Sequence, residues 1–212
     1  GDDARTYIKR GKAIYKLMKA EHPFRTGGDD SVFAVMLAFS KKKDEEILSE
    51  MEQMYQVLKE SGFGGHTSLH VARTFALADG DGIEKCGKLK KVFDSLTANG
   101  RKYGKDYELC ALAGLVSLPV PAETLAEEIL EVDAYLSTQK GYGVFGYSKK
   151  ERLMQAVMIL AGLYADEGQN TGGEIGAITG TLALLAALET ALIVGISASV
   201  ISSSSSSSSS SH

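Results

Sequence analysis

Two cysteines in 212 residues, Cys86 and Cys110, are too few for a disulfide framework or a cysteine metal site. Both fall on apolar helix faces, where a buried free thiol is expected. Only three prolines are present, and they mark breaks at 23, 119 and 121. Positive charge is not in excess: 23 Lys and Arg stand against 27 Asp and Glu, a formal net charge of −4. That balance argues against a nucleic-acid partner, because phosphate binding needs a dense basic face. No window alternates polar and apolar residues between hairpin turns, so no sheet is expected. No signal-peptide pattern is seen, and the expected setting is cytoplasmic. No phosphate loop, nucleophile triad or cofactor fingerprint stands out, so neither an enzyme nor a cofactor is expected.

What is present is a repeat. A short apolar helix, a brief loop, a longer charged helix and a Gly-aromatic turn recur about every forty residues. Ala34, Ala72 and Ala111 occupy one place in successive short helices, and Leu58, Leu96 and Leu136 one place in the longer partners. Gly62-Phe63, Gly100 with Tyr103, and Gly141-Tyr142 close the units. The expected fold is therefore all-α: stacked antiparallel helix pairs, solenoid-like, each burying its apolar face against its neighbours.

Residues 3–20 read as a first helix striped Tyr7, Gly11, Ile14 and Met18, ended by His22-Pro23. Asp30 is expected to cap the next helix. Its long partner starts near Asp44, striped Ile47, Met51, Met54, Tyr55 and Leu58, with Gly62 as a left-handed cap. Asp81 with Glu84, and Ser148 with Glu151, have capping-box spacing. Pro121 is read as a first-turn proline, and Leu153, Val157, Leu160 and Ala161 as a fourth short helix. The chain divides into a helical-repeat domain at 1–168, an apolar C-terminal helix or cap at 169–201, and a Ser-rich low-complexity tail at 202–212.

Several features compete for a function. Seven cations precede residue 26, namely Arg5, Lys9, Arg10, Lys12, Lys16, Lys19 and Arg25. A solvated helix face explains them; the alternative is a docking face for an acidic partner. The stretch 174–201 has Glu189 as its one internal charge. It is long enough to span a bilayer, with Gly176 and Gly180 as a small-xxx-small pair. A tail anchor, a closing helix and a self-association surface are the alternatives. His66 and His70, four apart, share a helix face and are weak metal candidates, with surface or capping histidines the plainer reading. Asp79-Gly-Asp81-Gly opens like a calcium loop, but Glu84 stands where the invariant glycine should and Lys90 where the closing glutamate should. Tyr55, Phe63, Phe93, Tyr103, Tyr135 and Tyr142 recur at unit ends, as core between units or as the lining of a peptide groove.

The run Ala20-Glu21-His22-Pro23-Phe24-Arg25-Thr26-Gly27-Gly28-Asp29-Asp30 resembles the HPFLTG-x-D-D signature of a bacterial family, the domain of unknown function numbered 4003. Arg25 stands where that signature has leucine. Glu52, Tyr55, Leu58 and Gly62-Phe63 look like the family's following helix; Gly65 to Leu77 and Arg101 to Leu118 resemble later blocks. The resemblance covers about residues 10–165 and implies a C-terminal portion of a longer protein in a bacterial cytoplasm. It implies no activity.

The expectation from all of this is a non-enzymatic module binding a protein or peptide. Its candidate surface is His22, Phe24, Asp29, Asp30, Tyr55, Phe63, Tyr103 and Tyr142. A membrane-associated protein held by 174–201 is the alternative. A metal-dependent enzyme using His22, His66, His70 and nearby aspartates is the third reading.

Overall fold

The computed structural model describes residues 2–28, 30–142 and 147–170. Eight helices follow one another: α1 (Asp2–Glu21), α2 (Asp30–Leu37), α3 (Asp44–Glu60), α4 (Gly65–Leu77), α5 (Gly82–Ala98), α6 (Tyr107–Val116), α7 (Ala122–Ser137) and α8 (Lys149–Asn170). Among the described residues there is no strand.

The helices stack in alternate files. α2 touches α4, α4 touches α6 and α6 touches α8, while α3 touches α5 and α5 touches α7. α1 closes one end by packing on α2 and α3. The small and large apolar residues of these helices are the cause. Ala34, Ala72 and Ala111 are buried, and so are Leu58, Leu96 and Leu136. Alanine in the short helices lets backbones approach; leucine in the long ones fills the space between. Each leucine so buried contributes about 1.5–3 kcal/mol.

The unit ends follow from the same residues. Gly62 has φ +86° and Gly100 φ +72°, conformations in which a Cβ would be strained. At the first, Phe63 N–H donates to Leu58 O at 3.2 Å and Gly62 N–H to Lys59 O at 3.0 Å. At the second, Arg101 N–H donates to Leu96 O at 2.8 Å and Gly100 N–H to Thr97 O at 3.0 Å. Both are Schellman closures, one ending α3 and the other ending α5.

Asp81 caps α5 with its own side chain, and Ser148 with Glu151 forms a full capping box. Glu84 N–H donates to Asp81 Oδ1 at 2.9 Å. Ser148 N–H donates to Glu151 Oε2 at 2.7 Å, and Glu151 N–H to Ser148 Oγ at 3.2 Å. Three local readings need correction. Pro121 is the N-cap residue of α7, one place before the first turn. The fourth short helix is instead 22 residues long and runs past 168. Asp30 is not the residue before α2 but its first residue, fully buried, and its carboxylate accepts from Gly27 N–H in the preceding loop. The segment 174–201 and the serine tail lie outside the described residues. Among the described residues, no helix is long and apolar enough to cross a membrane.

Candidate functional site

The loop from His22 to α2 is held by a buried ion pair. Asp30 and Arg73 are both 0 % exposed, and Arg73 Nη1 donates to Asp30 Oδ1. Arg73 comes from the middle of α4, 43 residues away. Its Nη2 donates to Thr26 Oγ1 at 2.9 Å, and Thr26 Oγ1 donates to Met18 O at 3.2 Å. Gly27 N–H donates to Asp30 Oδ2 at 2.7 Å, so the carboxylate closes the loop on itself. Tyr15 Oη adds a bond to Gly27 O at 3.0 Å. One buried charge pair thus fixes the end of α1, the loop and α4 together.

A second set of contacts anchors the loop's first half on α3. His22 Nε2 lies 2.9 Å from Glu52 Oε2, and its ring meets Tyr55 edge-on at 5.0 Å. Arg25 Nη1 donates to Tyr55 Oη. The guanidinium also lies against Gly65, where an added Cβ would sit 2.9 Å from Nη1. Partial desolvation raises the Glu21 carboxyl above its ordinary pKa; Glu52 adds to this and His22 opposes it. Between these anchors Phe24 is 100 % exposed.

The two histidines of α4 lie behind the loop. His66 is exposed and His70 buried, which corrects the expectation that both are surface or capping residues. Their Nε2 atoms are 3.2 Å apart. His70 Nδ1 lies 3.9 Å from Asp30 Oδ1, and its ring meets Phe33 at 6.4 Å. Among the described residues, no group of three or more His, Cys, Asp or Glu is placed to hold a metal ion.

The match that bears on this loop covers most of the chain. Residues 1–198 match the family described as Protein of unknown function (DUF4003). The chain belongs to that family. The match extends beyond the stretch of about residues 10–165 that carries the motifs, and nothing in it singles out a C-terminal portion. Comparison with curated proteins and with solved structures gives no significant match.

The stretch that resembles the family's signature is the loop that the Asp30–Arg73 pair fixes. The expected interaction residues do not share one surface. Phe24 is exposed, His22 is half-buried against Glu52, and Asp30, Tyr55, Phe63 and Tyr103 are buried. Phe63 meets Phe93 edge-on at 5.3 Å, as core between units. Tyr142 is half-buried and bonded to Gln155, while Tyr135 is exposed. Asp29 lies outside the described residues.

Sequence reasoning missed the other half of the pair, Arg73. It also missed Asp133, fully buried on α7, which accepts from Arg101 Nε at 2.7 Å and from Arg152 Nε at 2.6 Å. Both had a signal. Arg73 lies four residues after Leu69 and Asp133 four after Ile129, so each is a charge on an apolar stripe. A charge there needs a partner from another element.

Proposed function

We propose that the protein is a non-enzymatic helical-repeat module that docks a partner protein on the loop His22 to Asp30. The observation that supports this is Phe24, a wholly exposed aromatic on a loop whose two ends are tied down by buried or half-buried contacts. A large apolar side chain on a loop already tied down needs less backbone ordering on binding, which makes it a suitable anchor. The exposed cations Arg5, Lys9, Lys12, Lys16 and Lys19 on the adjoining α1 favour a partner with an apolar pocket and an acidic rim.

The test is capture of a partner from the native host by cross-linking, with wild type and Phe24→Ala side by side. The expected result is one discrete partner, held by wild type and weakened about thirtyfold or more by the substitution, as for an anchor worth about 2 kcal/mol. Phe24→Ala leaves the melting temperature unchanged. A partner captured equally by both proteins, or no partner at all, counts against the reading.

A further inference from the structure

We propose that His66 and His70 bind one divalent transition-metal ion through their two Nε2 atoms, on the first two turns of α4. The two Nε2 atoms stand 3.2 Å apart. Two nitrogens at about 2.0–2.1 Å from a tetrahedral centre stand about 3.3–3.4 Å apart, so the pair nearly spans an ion already. Histidines four residues apart on a helix are a known way to place two ligands on one face.

As it stands the contact is a hydrogen bond between the two rings, and a metal ion would take the place of the shared proton. The centroids are only 4.6 Å apart with planes at 75°.

The surroundings suit a cation. On the far side of the His70 ring is the Asp30 carboxylate, 3.9 Å from Nδ1. At that distance the carboxylate makes no hydrogen bond to Nδ1 and acts on the ring through its charge alone. Arg73 is the nearby opposing charge, and Asp30 already balances it. His66 is exposed, so an ion can reach the pair with water filling the remaining positions. Two imidazoles select zinc, nickel or copper over magnesium or calcium. The site does not depend on the docking reading, since Phe24 takes no part in it.

The experiment is calorimetric titration of the whole chain with zinc chloride, followed by the spin-resonance spectrum of the copper(II) form. The chain has four histidines, so each can be removed in turn. The expected result is one zinc per chain, a copper spectrum showing two coordinated nitrogens, and affinity lowered at least about tenfold in His66→Gln and His70→Gln. His22→Gln, His212→Ala and Phe24→Ala bind as wild type. His66 is exposed, so His66→Gln folds normally and decides the matter even if the buried His70 variant does not. No zinc uptake by wild type, uptake unaltered in a folded His66→Gln, or uptake lost in His22→Gln or His212→Ala would each overturn the proposal.

Discussion

Asp30 and Arg73 are tolerable in the interior only as a pair. Removing one partner leaves the other as an uncompensated buried charge, at a cost of about 3–5 kcal/mol; replacing both is often far milder. We expect Asp30→Asn and Arg73→Met each to lower the unfolding free energy by that amount in urea titrations. The double variant should lose less than the two losses summed, by more than about 1 kcal/mol. Strict additivity would mean that the two side chains do not stabilise one another. The same pair explains what the sequence concealed at this scale. The loop was legible from His22-Pro23 and the glycines, because turn chemistry is local. Its fastening was not, because Arg73 reads as one polar residue in His-Val-Ala-Arg-Thr-Phe until the fold sets it beside a residue 43 positions away.

Among elements, the same substitution should act in opposite directions on two helices. A Cβ added at Gly11 of α1 would meet Val35 Cγ2 at 2.8 Å and Val35 Cα at 2.9 Å, the latter fixed backbone of α2. A Cβ added at Gly87 of α5 meets nothing within 4 Å. Gly11→Ala should therefore destabilise by about 1–3 kcal/mol through overpacking. Gly87→Ala should stabilise by about 0.5–1 kcal/mol through helix propensity. Thermal melts of the two variants check the contrast, and a stabilised Gly11→Ala would refute the close packing of α1 on α2. Elements were the most legible scale. The caps at Asp81 and Ser148 and the turn at Gly62 depend on neighbours within a few residues, so spacing reveals them. The length of α8 was not legible, because a helix end needs a stop signal and Gly162 stands in an apolar stripe with no proline after it.

For the molecule as a whole, the two thiols report on opening and on alkaline stability. Burial pushes Cys86 and Cys110 each up to about 12, against an ordinary value of 9.0. Above pH 9 the unfolded chain loses these protons while the folded chain keeps them, so this contribution is complete below 9 and is lost as pH rises toward 12. Lys85 acts the other way. Burial lowers it to about 8 from 10.5 although its Nζ donates to the carbonyls of Phe75 and Ala78 at 3.1 and 2.6 Å, so its contribution rises with pH across that window. Denaturation at stepped pH should show Lys85→Met losing stability steadily above pH 9, with wild type falling less steeply up to about 10.5. Thiol labelling at pH 8 should proceed only at the rate of opening, because the native thiols are almost wholly protonated. Rapid labelling without denaturant would contradict their burial.

The alternating files of helices have a consequence for how the chain is made. Every helix contact described above joins elements one or two places apart, and the Asp30–Arg73 and Arg101–Asp133 bonds span 43 and 32 residues. A ribosome adding roughly 5–20 residues per second supplies one such span in about 2–9 seconds. Each unit can then settle on its predecessor while the next is still being translated. Asp30 waits for its counter-ion only as long as it takes to synthesise the rest of α2, α3 and most of α4.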